Sequence, residues 1–292
     1  MHIRDPFTLL FVGAHPDDET FGVGGTLAKY AAAGFKVVYA CGTQGEVGSF
    51  SENDLGDFNS PGQMRWAELV CAADILQLAE LVYLGYRDSG MPGSPDNHHP
   101  QALAAAPQEE VTSRVIRVIR AVKPQVVITF DPIGGYRHPD HIAIHQATVR
   151  AFYAANDPQQ FSDSGSAFTP QKLYFHVFPK SFLKLAIKIL PLLGQNPRRF
   201  GRNHDVDLVS LTAMEFPVHA RIRIRGIISS RKSSAAACHK SQLGSGPPLI
   251  GRMKGLTRLL HWIGTDETFM RAHPSVLPGQ RVREKDLFEG II

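Results

Sequence analysis

Cysteine is scarce in this 292-residue chain: Cys41, Cys71 and Cys238 are the whole supply. They are far apart, odd in number and form no C-x-x-C pair. Neither a thiolate zinc knuckle nor a disulfide framework is indicated, and a reducing cytoplasm is the expected compartment. Long apolar runs are missing as well. The run behind the first residues spans only about five positions, too short for the core of a signal peptide. No stretch reaches the roughly 18 apolar residues that cross a bilayer. The nearest, residues 182–193, contains Lys184 and Lys188, breaks at Pro191 and reads as an amphipathic helix, facing a core or forming a lid in preference to lying on a membrane. Charge of one sign is not concentrated either. The net charge is only +4 and Lys and Arg are dispersed, which weakly favours anionic ligands and gives no case for nucleic acid.

What is present is a chain able to bury a large core, with 43% hydrophobic and 20% charged residues, neither disordered nor fibrous. Strand and helix patterns alternate through the first half. Strands are expected at 8–14, 36–41, 81–84 and 126–130, and helices at 26–33, 64–78, 109–122 and 140–155. That alternation predicts an α/β fold with a mostly parallel sheet and helices on both faces. Two long polar loops, 42–60 and 85–107, interrupt it. Later come expected strands at 172–178, 218–224 and 267–271, a helix over 227–240 and a short helix after Gly255. The chain is read as one domain, 1–292, with a core over about 1–156 and a smaller C-terminal elaboration over about 157–292.

Two of these strands end in matching polar clusters. The first runs into His15-Pro16-Asp17-Asp18-Glu19 and the fourth into Tyr136-Arg137-His138-Pro139-Asp140-His141. Parallel strands present their carboxyl ends on one edge, where α/β folds bind ligands, so the clusters can meet across a crevice. Pro16 biases His15 towards extended backbone. So many ionisable groups together would resist burial without a cation. His15, Asp18 and His141 are the expected ligands, two imidazoles and a carboxylate that leave a position open, as at catalytic zinc; Fe(II) suits the same donors. Asp17, between ligands, becomes the candidate general base towards a metal-activated water. His138 is left to face a developing oxyanion or protonate a leaving group. Asp140 is expected to fix the His138 tautomer and raise its pKa.

Competing readings are weaker. Asp17 and Asp18 as helix caps would not explain a second cluster. Gly22-Val23-Gly24-Gly25 invites a dinucleotide reading, but Leu27 breaks the spacing. Glu19 is given a supporting duty, His145 a packing one, and His98 and His99 are expected in solvent. Cys41 reads as a buried structural thiol. Arg198, Arg199 and Arg202 read as a solvated turn before an anion grip. His239 and Gln242 either line the crevice or cap a helix.

These motifs, with Thr43-Gln44-Gly45-Glu46-Val47-Gly48, Arg65-Trp66-Ala67-Glu68-Leu69, Gly85-Tyr86-Arg87-Asp88-Ser89-Gly90-Met91 and His239-Lys240-Ser241-Gln242, resemble the PIG-L/LmbE-like family of metal-dependent de-N-acetylases. That family includes deacetylases of N-acetylglucosaminyl-phosphatidylinositol and of mycothiol and bacillithiol precursors, and the mycothiol S-conjugate amidase. The resemblance implies a Rossmann-like fold, usually zinc, and hydrolysis of an N-acyl group on a small-molecule amino sugar. It implies His15, Asp18 and His141 as metal ligands, Asp17 as base and His138 as stabiliser of the transition state. Tyr136 matches a mobile tyrosine that helps polarise the carbonyl. Arg65, Glu46 and Asp88 match substrate-side positions, and loops 85–107 and 181–205 are where the aglycone would be read. The alternatives are a mycothiol-conjugate-type amidase on the same site, a non-catalytic sugar- or nucleotide-binding module, and a metal-dependent phosphoesterase. The last would call for ligands for two metals. Assembly into a homo-oligomer is left open.

Overall fold

The computed structural model describes residues 6–48, 50, 52–178, 180–200, 206–243 and 266–291. At its centre runs β1 (Thr8–Gly13), buried at every position. Its sequence, TLLFVG, is an almost unbroken apolar run, as a strand covered on both faces requires. In chain order there follow α1 (Asp18–Phe21), α2 (Gly24–Ala32), β2 (Lys36–Thr43), α3 (Glu52–Leu55), α4 (Pro61–Leu76), β3 (Glu80–Tyr86), α5 (Gln108–Val122), β4 (Val126–Phe130), α6 (Gly134–Arg137), α7 (Pro139–Ala154), β5 (Lys172–His176), α8 (Lys180–Ile189), α9 (Leu208–Leu211), β6 (Ala220–Arg223), α10 (Gly226–Ala236), α11 (Lys240–Leu243) and β7 (Asp266–His273).

The strands form one seven-stranded sheet in the order β3-β2-β1-β4-β5-β7-β6. The first five are parallel; β7 and β6 join antiparallel at the far edge. On one face α5 and α7 lay Val111, Val115, Ile119, Ile144 and Ala147 against Leu10, Val38 and Val127. On the other, Leu27 and Tyr30 of α2 and Leu69 of α4 cover Leu9, Phe11 and Tyr39. Alternate residues of each strand thus feed opposite cores, the period-two geometry of a strand. Ser60 caps α4 by accepting from the Gln63 amide, with Pro61 at the first helical position, both as helix starts favour.

Most expected elements stand within a few residues of their predicted ends, and β4 matches at both. In the second half β5, β7 and β6 extend the same sheet. Two expectations change. The helix expected over 227–240 is two, α10 and α11, separated by Ala237, Cys238 and His239. In that gap Cys238 is joined to Cys71 of α4 by a disulfide, their Cα atoms 5.9 Å apart. The sequence argued against disulfides because its cysteines are unpaired in spacing, yet packing α10 on α4 brings together two that lie 167 residues apart. Cys41 is the free, buried thiol expected. Among the described residues no helix is long and apolar enough to cross a membrane. Arg202 and the helix expected after Gly255 lie outside the described residues.

Candidate active site

The chain leaves β1 for β2 on one side and later returns through β4 on the other. The ends of β1 and β4 therefore border the crevice where the strand order reverses, the ligand position of open α/β sheets. Both polar clusters stand there. His15 and His141, 126 residues apart in the chain, bring Nδ1 and Nε2 within 3.2 Å. The ring of His138 lies 4.5 Å from that of His15 and 5.0 Å from that of His141.

Each group is oriented by bonds behind it. The Tyr39 hydroxyl donates to the His15 carbonyl at 2.6 Å, fixing the turn out of β1. Asp18 Oδ2 accepts the Ala14 and His15 amides at 3.0 and 2.7 Å. Its other oxygen, Oδ1, is left 3.4 Å from His141 Nε2. Asp140 is buried and its Oδ2 lies 3.0 Å from His15 Nε2. It also accepts from the amide and hydroxyl of Ser89. A carboxylate on Nε2 places the proton there and turns the Nδ1 lone pair towards His141, the arrangement that supports metal-bound histidines. Asp140 therefore serves His15, not His138 as expected. What reaches His138 is the Asp140 backbone amide, which donates to His138 Nδ1 at 3.2 Å as the N-cap of α7. A neutral imidazole whose Nδ1 accepts must carry its proton on Nε2.

Burial and neighbouring charges set the three imidazoles apart. Burial alone would lower the His15 pKa, but Asp88, Asp140 and Asp18 outweigh it and the net shift is well upward. His138 and His141 move the other way, well below their ordinary value, by burial and then by neighbouring imidazoles; the expectation of a raised His138 fails on that ground. With each residue offering one atom, His15, His138 and His141 form one group close enough to hold an ion, and His15, Asp88, His138 and Asp140 another. Asp18 flanks the first, with Oδ2 3.8 Å from His15 Nδ1. Two inward imidazole nitrogens beside a half-anchored carboxylate are a donor set that fits zinc or Fe(II).

Asp17 sits at φ +127°, a region that favours glycine and that persists in other residues only when neighbours hold it. Its amide donates to Glu19 Oε2 at 2.9 Å and its carbonyl accepts the Thr20 and Phe21 amides of α1. Burial pushes its carboxyl up to about 7, although the Arg65 guanidinium opposes the shift. A carboxyl poised near neutrality suits a group that takes and returns a proton. Tyr136 is half-buried at the rim, its ring 5.0 Å from that of His141, and burial holds its hydroxyl protonated.

The three substrate-side residues are already engaged. Arg65 is buried; it donates to the carbonyls of Gly45 and Pro16 at 2.9 and 2.7 Å and to Asp17 Oδ2 at 3.1 Å. A side chain at Gly45, itself at φ +70°, would strike that guanidinium. Asp88 is buried, accepts the Gly90 and Val47 amides and lies 3.5 Å from His15 Nε2. Glu46 accepts the Asp88 amide at 3.0 Å. Thus they build the wall of the site and hold its loops together. His145 packs as expected, with Nδ1 2.8 Å from the Phe130 carbonyl. Sequence reasoning missed Ser89, although it lies inside a recognised motif. It also left His239 undecided: its Nε2 is 2.8 Å from Glu19 Oε1, in full burial.

Residues 10–152 match the family model described as PIG-L, GlcNAc-PI de-N-acetylase. A 1D-myo-inositol 2-acetamido-2-deoxy-alpha-D-glucopyranoside deacetylase of Geodermatophilus obscurus is 35% identical over 293 residues, covering 97% of each chain. Among solved structures, the N,N'-diacetylchitobiose deacetylase of Pyrococcus horikoshii superposes with a TM-score of 0.60 at 18% identity, covering 92% of this chain and 84% of that one. A 4-carboxy-2-hydroxymuconate hydratase of Pseudomonas putida superposes at 0.54 with 17% identity, covering 93% and 98%. The shared fold thus hosts more than one chemistry, and full-length identity places the chain: it belongs to the PIG-L family of de-N-acetylases.

Proposed function

We propose that the protein hydrolyses the N-acetyl group of a glucosaminyl conjugate, with 1D-myo-inositol 2-acetamido-2-deoxy-alpha-D-glucopyranoside as the first substrate to test. The observation that carries this reading is His138, neutral, with Nδ1 occupied and its Nε2 proton free beside the His15–Asp18–His141 donors. The relative's full-length likeness supports the choice of sugar.

His15 Nδ1, His141 Nε2 and Asp18 Oδ1 would hold the metal, proposed as zinc with Fe(II) as the alternative. Bound there, it would polarise the amide carbonyl and acidify an attacking water. Asp17 takes the proton from that water. His138 Nε2–H donates to the carbonyl oxygen as it gains charge, and the Tyr136 hydroxyl is placed to add a second donor. Water oxygen then bonds to the carbonyl carbon, the C–N bond breaks, and the amine leaves with the proton returned by Asp17. Acetate and the free amino sugar are the products. Arg65, Glu46 and Asp88 define the wall against which the sugar rests. A cytoplasmic location goes with this reading.

Amine release from that conjugate, from N,N'-diacetylchitobiose and from a thiol-sugar amide tests it. Turnover of the inositol conjugate with added Zn²⁺ or Fe²⁺, lost on chelation, is expected. Cleavage of the thiol-sugar amide alone would favour the amidase alternative.

A further inference from the structure

Glu19 and His239 are both fully buried and take no part in the steps above. Glu19 uses both oxygens. Oε2 accepts the Asp17 amide at 2.9 Å; Oε1 receives the Thr20 hydroxyl and faces His239 Nε2 at 2.8 Å. Because Asp17 is held at φ +127°, the bond on its amide opposes relaxation of a disfavoured backbone. His239 immediately follows Cys238, the residue tied to α4. Three residues of α4, each three positions on from the last and so on one face, address this corner. Arg65 bonds Asp17; Glu68 accepts the Ser241 amide and hydroxyl at 2.8 and 2.7 Å; Cys71 bonds Cys238. Cys71 is an exposed residue, whereas Cys238 is buried, so Cys71 is the half of the bond nearer solvent.

We propose that His239 is a positioning residue for Asp17, acting through Glu19, and that the Cys71–Cys238 disulfide is a redox latch holding it in place. The inference rests on the reading of Asp17 as the base. The redox partner is a dithiol. Its thiolate attacks Cys71 Sγ, the S–S bond breaks, and Cys238 sulfur leaves with the electron pair and gains a proton. The second thiol of the reductant then closes on the mixed disulfide and frees Cys71. Two electrons pass to the protein, and the reductant ends as its own disulfide. Opening the latch removes the covalent tie between the His239 segment and α4 and leaves only non-covalent ones, among them the Glu68 bonds and the contact of Arg231 with Gln77, loosening the bond that keeps Asp17 in its working conformation.

Hydrogen exchange of the segment 15–21, followed in substrate-free protein, reads the positioning directly, and steady-state kinetics read its consequence. In His239→Ala, and in wild type reduced with dithiothreitol, exchange at residues 17–21 is expected to quicken about tenfold, the scale of one lost bond to a charged group. In the same two states kcat is expected to fall about tenfold or more with KM within about twofold, because the group displaced is one that acts in the transition state. His239→Gln, which keeps a donor near the Nε2 position, should stay within about threefold of wild type on both measures. Cys71→Ser should match reduced wild type and ignore dithiothreitol, and it carries the comparison if His239→Ala does not fold. Unchanged exchange in reduced wild type and in Cys71→Ser overturns the latch. Faster exchange with unchanged kcat overturns the coupling to Asp17. Wild-type turnover in Asp17→Ala sinks the base assignment itself, while the exchange result stands apart from it.

Discussion

Asp140 is a buried carboxylate whose partners are His15 and Ser89. Its bond to His15 Nε2 sets the tautomer that frees Nδ1, and Ser89 holds it from behind. Asp140→Ala should therefore weaken metal binding about 10–100-fold. Titration of the metal-free protein with Zn²⁺ checks it, and an unchanged affinity would mean that His15 needs no such partner. A second residue-scale consequence lies away from the site. His176 is buried and its pKa is lowered to about 4 by desolvation, with Glu267 opposing and Lys232 reinforcing the shift. Unfolded, it titrates near 6.5. Between those values the unfolded chain binds the extra proton, so stability is lost as pH falls from about 6.5 to 4, by up to about 3 kcal/mol. Urea unfolding of wild type against His176→Gln across that window measures it; parallel pH curves would contradict the assignment.

At the scale of elements, what could be read in advance and what could not divide along a physical line. The bounds of β4 follow from five consecutive residues that favour a buried strand, VVITF, and the His-Pro-Asp clusters follow from strand ends being the functional edge. Such signals are local. The contacts that escaped are not. The His239–Glu19 pair spans 220 residues, and Asp140 reaches a histidine 125 residues away although His138 is its near neighbour. Spacing along the chain carries no information about either. Arg120 of α5 is a further case. It is buried and donates to the carbonyls of Ala155, Asp157, Gln160, Phe161 and Gly165, which lie 35 to 45 residues on. It thereby gathers the chain that leaves α7 for β5. Arg120→Met is expected to cost about 2–4 kcal/mol by orphaning several of these acceptors. Chemical denaturation measures the loss, and kcat at low temperature should hold within about twofold because no site group is touched.

For the whole molecule, the sheet does not divide at residue 156. Glu267 of β7 accepts the Gly25 and Thr26 amides at the start of α2 at 2.8 and 2.7 Å. Glu284 gathers Lys172, Tyr174 and Arg271 at 2.9, 2.7 and 2.7 Å. The last segment thus closes helices and strands of the first. A fragment of residues 1–156 would expose the β4 edge and the α2 start. It is expected to show no cooperative thermal transition by circular dichroism; a sharp transition would mean that residues 1–156 fold without the last segment. The same assembly brings two distant His-Pro-Asp turns into one crevice, and the chemistry rests on that meeting. Its most direct test is metal binding and N-acetyl hydrolysis measured side by side for wild type, Asp17→Asn and His141→Ala. Asp17→Asn should still bind Zn²⁺ but lose about 10²–10⁴-fold in kcat, while His141→Ala should lose both. Turnover by Asp17→Asn within tenfold of wild type would contradict the account.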